Sequence, residues 1–256
     1  MNYWIAYKTD VGTCKKINQD ALLIKTAKTL QGQVMLGAIA DGLGGLEHGE
    51  LASNTMLHEL SIWFESELPS LIYKDYNLLR IESGLIHVIN QTHQKIRIYM
   101  EREKVNLGTT IALLFIYRDE YLVIHVGDTR VYMSDAGRTT LLTKDHTYVQ
   151  SEVDAGQMTP GEAKYSKQRN ILTQCVGASS IMIPTSQKGK VTGSSVFLIC
   201  SDGFRNTILD EELENVIRTA EKCNHEEFKH IPEQMTELIK KRDEKDNISS
   251  IFMKCF

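Results

Sequence analysis

The alternation of apolar and polar positions predicts strands that occur in neighbouring pairs. Apolar or alternating runs at residues 21–25 and 33–40 are joined by a polar stretch, and those at 109–117 and 121–126 flank a three-residue link. A third pair, at 130–134 and 139–142, flanks a turn in which Gly137 can supply a positive φ. Because parallel strands need a crossover of a dozen residues or more, links this short predict antiparallel pairing.

Helical patterning occupies the stretches between the strand pairs. Apolar residues recur every three or four positions over 47–67 and 78–101, which predicts two long helices. Asp210 is predicted to be the N-cap of a later helix, and Pro232 the first residue of another. The chain ends with an apolar run at 248–253. This order lacks the regular strand–helix alternation of a doubly wound sheet, so we expect an α+β fold of antiparallel sheets covered by helices.

The hydrophobic periodicity weakens in one segment of the chain, and this indicates the domain organisation. Residues 145–177 are polar with weak periodicity and contain a Thr159-Pro160 helix start, so they are predicted to form a flap attached between core strands. Elsewhere no repeat and no Pro-, Gly- or Ser-rich linker divides the chain. We therefore predict a single domain over residues 1–256, with the flap as a subdomain within it.

Composition and charge narrow the class of protein. The 256 residues are 42% hydrophobic and 24% charged, which permits a sizeable core and argues against disorder. The net charge of −4, without a Lys/Arg cluster, argues against nucleic acid as the main partner. No apolar run approaches the length of a membrane span, the N-terminus does not resemble a signal peptide, and the five cysteines include no C-x-x-C pair. We expect a cytoplasmic protein with reduced thiols and no membrane contact.

Four aspartates share one setting, in which an apolar run meets small, turn-forming residues. They are Asp41 after 34–40, Asp128 after 121–127, Asp202 after 196–201, and Asp246 just before 248–253. Any one of them could be an ordinary turn former or helix cap. Four carboxylates gathered at the rim of a sheet would repel one another unless a cation neutralised them, and oxygen donors suit Mg²⁺ or Mn²⁺. The pattern favours a metal-dependent phosphoryl enzyme, and neither a P-loop nor a kinase motif set competes with it.

Eight short motifs, spread over residues 10 to 247, occur in an order that is typical of one protein family. They are Asp10-Val11-Gly12 with Lys15-x-x-Asn18-Gln19-Asp20; Asp41-Gly42-Leu43-Gly44-Gly45; Gly108-Thr109-Thr110; Gly127-Asp128-Thr129-Arg130-Val131-Tyr132; Leu142-Thr143-Lys144-Asp145-His146-Thr147; Asn170-Ile171-Leu172-Thr173 with Val176-Gly177; Cys200-Ser201-Asp202-Gly203; and Asp246-Asn247. In this order the chain resembles the PPM-type (type 2C) metal-dependent Ser/Thr protein phosphatases in their compact bacterial form. The resemblance implies a four-layer α-β-β-α sandwich, with two antiparallel sheets flanked by helix pairs.

The resemblance also implies a site for two core ions, Mn²⁺ or Mg²⁺. Asp41 would bridge both ions, with the Gly42 carbonyl helping at one of them, and Asp202 and Asp246 would complete the other site. Asp20 would act near the first pair through water. Phosphoserine and phosphothreonine would then be hydrolysed by a metal-activated water, without a phosphoenzyme.

Further roles are implied around this centre. Asp128 would hold a third, weaker ion together with Asp202. Lys15 stands where the family usually places a phosphate-gripping Arg, and a lysine offers a point charge without the bidentate fork. Many eukaryotic members carry a His at the position of Leu43 to protonate the leaving group, so a metal-held water or another group such as His146 would have to do so here. Arg130 is expected to pair with a core carboxylate, and His125 to be a satisfied core histidine.

Partners follow from the activity that the resemblance implies. They are Ser/Thr-phosphorylated proteins, together with a cognate Ser/Thr kinase whose action this chain would reverse, and we expect a monomer. Two alternatives stay open. One is a catalytically weak or inactive member that acts as a phosphoprotein-binding regulatory module, which the Lys15 departure would favour. The other is a phosphatase dedicated to one regulatory phosphoprotein.

Overall fold

The predicted strand pairs become parts of two five-stranded antiparallel sheets. The computed structural model describes residues 1–43 and 48–256, apart from the side chains of Lys74 and Asp75. The strands are β1 (Tyr3–Asp10), β2 (Asp20–Thr29), β3 (Gly32–Asp41), β4 (Gly108–Thr109), β5 (Ile111–Tyr117), β6 (Glu120–Val126), β7 (Arg130–Asp135), β8 (Arg138–Leu141), β9 (Val176–Gly177), β10 (Thr185–Lys190), β11 (Ser195–Cys200) and β12 (Ile248–Cys255). One sheet has the order β1-β12-β11-β7-β8 and the other β10-β6-β5-β3-β2, while β4 and β9 form a small third pair. Every residue of β5 is buried, as its continuous apolar run predicts.

The described helices are α1 (Gly49–Ser66), α2 (Leu68–Asp75), α3 (Leu78–Glu103), α4 (Tyr148–Asp154), α5 (Pro160–Tyr165), α6 (Asp202–Arg205), α7 (Asp210–Lys222) and α8 (His225–Lys241). The long helices α1 and α3 cover the outer face of one sheet, and α7 and α8 cover that of the other. Among the residues described, none of these helices is both long and apolar enough to cross a membrane.

Three apolar cores separate four layers. One core joins α1 and α3 to the sheet that contains β3 and β5, and it includes Trp63 and Phe115. A second lies between the two sheets and includes Met35 and Phe197. A third joins α7 and α8 to the sheet that contains β11 and β12, with Phe228 at its centre. The predicted α+β fold, an α-β-β-α sandwich of two antiparallel sheets, is confirmed.

Two predicted helix starts are wrong by different amounts. Pro232 lies inside α8, which begins seven residues earlier after Asn224. The Asn224 side chain accepts from the Glu227 N–H, and Glu227 returns the bond to the Asn224 N–H, so a capping box sets the start of α8 in place of the proline. Asp210 is the first helical residue of α7 and not its cap.

The sequence pattern did not indicate the strands β1 and β10. Both lie at a sheet edge with one neighbouring strand each, and β10 is largely exposed and polar, with Lys188 and Lys190 along it. Edge strands are often kept polar in this way because their unpaired backbone could otherwise pair with another chain. Alternation of apolar residues is therefore a weak signal for β10, whereas β1 begins with a largely apolar run at residues 3–7 that the sequence analysis did not assign to a strand.

Candidate metal centre

The predicted carboxylates meet at one edge of the sandwich because the antiparallel register brings strand ends together. Asp20 begins β2, Asp41 ends β3, and the two residues are directly opposite each other in that strand pair. Carboxylates that face one another across a strand pair repel, so this placement destabilises the pair unless a proton or a cation neutralises the charge. Gly42 follows Asp41 and is buried, and a Cβ there would be 2.5 Å from the Gly49 carbonyl oxygen. The Gly44 and Gly45 positions of the same motif lie outside the described residues.

The second sheet contributes Asp202 and Asp246 at the same edge. β11 and β12 are neighbours, and beyond β11 the Ser201 N–H still donates to the Ser249 carbonyl at 3.1 Å. Asp202 then begins α6, while Asp246 immediately precedes the Asn247 that leads into β12. Gly203 is required here, since a Cβ would be 2.1 Å from the Asn247 carbonyl oxygen. The close approach of α6 to the residues before β12 therefore depends on the Asp-Gly pair that the sequence motif contains.

We call Asp20, Asp41, Asp128, Asp202 and Asp246 the carboxylate cluster. Burial, followed by the charges of Asp20 and Asp202, raises the pKa of Asp41 well above its usual value. Burial raises the pKa of Asp202, with the charge of Asp246 adding to the effect and the charge of Arg205 opposing it. Burial raises the pKa of Asp20 to about 7, with Asp202 adding to the effect. Carboxylates crowded in a buried site favour the binding of a proton or a cation, because either one reduces their mutual repulsion.

The cluster fits hard divalent cations by its chemistry. All its donors are carboxylate oxygens, and Asp20 Oδ2 is buried without any hydrogen-bond partner. Within residues 1–43 and 48–256, no three Asp, Glu, His or Cys side chains are spaced as a ready-made ligand group. The ammonium of Lys15, beside Asp246, offsets part of the negative charge of the cluster. Cations would offset the rest, and the unpartnered oxygen of Asp20 is the observation that calls for them.

The structure places Lys15 at the cluster. Its Nζ lies 2.9 Å from Asp246 Oδ1. Although desolvation opposes the shift, the bond to Asp246 and the charges of Asp41 and Asp202 raise the pKa of Lys15. Lys15 therefore stands charged beside the predicted metal ligands, and its contact with phosphate stays a prediction.

Asn247 has a role that the sequence motif did not reveal. Its buried side chain accepts from the Gln19 N–H at 2.9 Å and donates to the carbonyls of Val11 at 2.9 Å and Ile17 at 3.2 Å. One side chain thus holds three points of the connection between β1 and β2, the segment that carries Lys15. No local pattern could indicate this role, because Asn247 is more than 220 residues from its partners.

The surroundings of His146 argue against it as the proton donor considered for the leaving group. Burial and the neighbouring His125 lower the pKa of His146 to about 4. Its Nδ1 faces the Gly127 N–H at 3.2 Å and its Nε2 faces Thr185 Oγ1 at 3.0 Å, so the ring is neutral and fully bonded. His125 is also a satisfied core histidine, as predicted, with Nε2 2.7 Å from the Lys144 carbonyl oxygen.

Asp128 lies in the turn between β6 and β7. The positively charged group beside it is the guanidinium of Arg205, a residue that the sequence analysis did not single out. Arg205 Nη2 donates to the Asp128 carbonyl at 3.1 Å and lies 3.3 Å from Oδ2. Burial and Asp202 raise the pKa of Asp128 to about 7, and Arg205 opposes that shift. Arg130 pairs with Asp145 through two bonds of 2.8 Å, which confirms its predicted pairing with a core carboxylate.

The metal-free protein is expected to be less stable at about pH 8 than at about pH 5. Folding raises the pKa of Asp20 and Asp128 from 3.8 to about 7, so each binds its proton more tightly in the folded than in the unfolded state. The stability they contribute is fully present below the unfolded pKa and is lost as the pH rises through the folded pKa. Thermal unfolding in EDTA at both pH values measures the difference, and Asp20→Asn should reduce it. Equal stability at the two pH values would show that the carboxylates are not crowded.

Comparisons with known proteins agree with this geometry. The family model described as protein phosphatase 2C matches residues 13–245. A putative protein phosphatase 2C-type protein of Streptococcus pyogenes is 29% identical over 247 residues, which are 96% of this chain and 94% of the relative. The crystal structure of the serine/threonine phosphatase Stp1 from Staphylococcus aureus has a TM-score of 0.87 at 25% identity, covering 100% of this chain and 96% of that one. The catalytic domain of PstP, crystallised with two manganese ions, has a TM-score of 0.78 at 25% identity, covering 98% and 97%.

Proposed function

The chain belongs to the protein phosphatase 2C family, and we propose that its carboxylate cluster is the centre at which phosphoserine and phosphothreonine are hydrolysed. The chain is a serine/threonine protein phosphatase, as its relatives are. Metal dependence is general in this family, and one structural neighbour contains two manganese ions. For this chain, the identity of the ions as Mn²⁺ or Mg²⁺ and the residues that bind them belong to the proposal.

The observation that carries the proposal is the convergence of four carboxylates from distant parts of the chain. Asp20 and Asp41 come from one sheet, and Asp202 and Asp246 from the edge of the other. Together with the Gly42 carbonyl they are the proposed ligands of two divalent cations. When bound, such cations lower the pKa of a coordinated water and neutralise charge on the phosphoryl oxygens.

The chain's own residues prepare the site in three ways. Asp41, at the end of β3, and Asp202, at the start of α6, would provide a shared face for cations between the two sheets. Lys15 provides a positive charge at the same edge, within reach of a phosphoryl group that binds beside Asp246. Asn247 fixes the connection that bears Lys15, so the ammonium is positioned before substrate binds.

Segment 145–177, which contains α4 and α5, is the proposed flap beside this centre. A cavity of about 450 Å³ separates it from α6 and α7 and is lined on one side by Lys164 and Tyr165 and on the other by Arg205 and Leu213. Lys164 also forms a 2.8 Å ion pair with Asp210 across the mouth of that cavity. The natural substrates in this proposal are phosphoproteins modified by a Ser/Thr kinase, and the cytoplasmic location stays a prediction.

The test is hydrolysis of p-nitrophenyl phosphate and of a phosphothreonine peptide. We expect turnover with Mn²⁺ that disappears with EDTA and in Asp202→Ala. Asp119→Ala is the matched control and should behave as wild type, because Asp119 lies in the β5–β6 turn, where it pairs with Lys190 on the surface. A folded, metal-binding protein without turnover would contradict the proposal and favour a regulatory module that binds phosphoproteins.

A further inference from the structure

Arg205 stands beside the two carboxylates that the family resemblance assigns to a third ion. Its Nη2 donates to the Asp128 carbonyl at 3.1 Å and lies 3.3 Å from Asp128 Oδ2. A positive charge is therefore already present beside Asp128.

The fold brings Arg205 to this place through α6. Asp202 and Arg205 are three positions apart in that single-turn helix, so both side chains lie on one face. Phe204, between them, is buried in the core under β11 and β12 and fixes the rotation of the turn. The guanidinium consequently lies over the β6–β7 turn, next to Asp128.

Two arginines already pair with the carboxylates that flank the β6–β7 turn. Arg130 takes both oxygens of Asp145 at 2.8 Å, and Arg205 lies 3.7 Å from Asp145 and 3.3 Å from Asp128. The guanidinium groups of Arg130 and Arg205 thus pair with Asp145 and Asp128, and only 17% of the Arg205 side chain and 9% of the Asp128 side chain are exposed. A buried charge group of this kind is stable only when it is paired, and a divalent cation bound to Asp128 would face the guanidinium at close range.

We propose that Arg205 takes, as a fixed cation, the place of the third metal ion, so that this chain binds two divalent cations and Asp128 is not a metal ligand. The inference rests on the proposed two-cation site. Arg205 also links Asp128 in the β6–β7 turn to Asp145 at the start of segment 145–177. A side chain, and not an exchangeable ion, therefore joins the cluster to the base of the proposed flap, and that link does not depend on metal concentration.

The experiment counts bound Mn²⁺ by isothermal titration calorimetry and by electron paramagnetic resonance of free Mn²⁺, up to millimolar concentrations. Wild type and Asp128→Asn should both bind two ions per chain. Arg205→Gln removes the charge but keeps a polar side chain, and it should gain one weak ion. The double variant Arg205→Gln with Asp128→Asn should lose that additional ion. Arg205→Lys keeps the positive charge and should bind two Mn²⁺ ions per chain, as wild type does.

Two results would overturn the proposal. One is a third ion in wild type that Asp128→Asn removes, and this comparison needs no substitution at Arg205. The other is a folded Arg205→Gln that still binds two ions only. Failure of the proposed function looks different, because wild type would then bind no Mn²⁺ or would bind it without turnover of phosphothreonine peptide.

Discussion

Asp41→Asn is expected to lower kcat by at least about 1,000-fold, because loss of one positioned electrostatic group in an active site already costs about 100- to 1,000-fold. Asp41 is the proposed ligand shared by both cations, so its loss affects both. Asparagine has the same shape but no negative charge, and the metal-free fold should keep its stability or gain some. The pKa of Asp41 is raised well above its usual value by burial and by Asp20, which shows that the charged form is disfavoured without cations.

The measurement combines turnover of a phosphothreonine peptide with thermal unfolding, each with Mn²⁺ and with EDTA. Wild type should gain stability from Mn²⁺ and Asp41→Asn should gain much less, since only binding to the folded state stabilises it. Asp243→Asn is the matched control, because Asp243 is exposed and its positive φ of 58° suits asparagine equally well. A near-wild-type rate in Asp41→Asn would show that the catalytic centre lies elsewhere.

Asn247→Ala is expected to reduce the free energy of unfolding by about 2–4 kcal/mol, because a buried polar group left without a partner costs about 1–3 kcal/mol. The substitution leaves the Gln19 N–H and the carbonyls of Val11 and Ile17 without their partner. Since these groups hold the connection that bears Lys15, KM for small phosphoesters should also rise. The two effects have one cause, the release of that connection from the residues that precede β12.

Denaturant unfolding and steady-state kinetics on the same preparation test both effects. Asn90→Ala is the control, because Asn90 is exposed on α3. It should change the free energy of unfolding by less than about 0.5 kcal/mol and should leave KM unchanged. Unchanged stability in Asn247→Ala would contradict the structural role. A loss of stability with unchanged KM would show that the position of Lys15 does not matter for substrate binding.

Sequence reasoning was strongest where one local pattern decides the structure. The continuous apolar run of β5 and the period of α3 each need only neighbouring residues to be interpreted. It was weaker where two local signals compete, as at Pro232, which could begin a helix but lies inside one that Asn224 caps. It was weakest for residues such as Arg205 and Asn247, whose roles depend on contacts across 77 and more than 220 positions.

By itself, the sequence determined the residue types of the site and their place at the ends of apolar runs. Because strands end where apolar runs end, it also determined that Asp41, Asp202 and Asp246 lie at sheet edges. Only the tertiary structure decided which of these groups touch, which cation faces Asp128, and that Lys15 contacts Asp246. The physical reason is that hydrophobic periodicity sets which face of a strand is buried, whereas charged side chains meet according to strand register and the packing of two sheets.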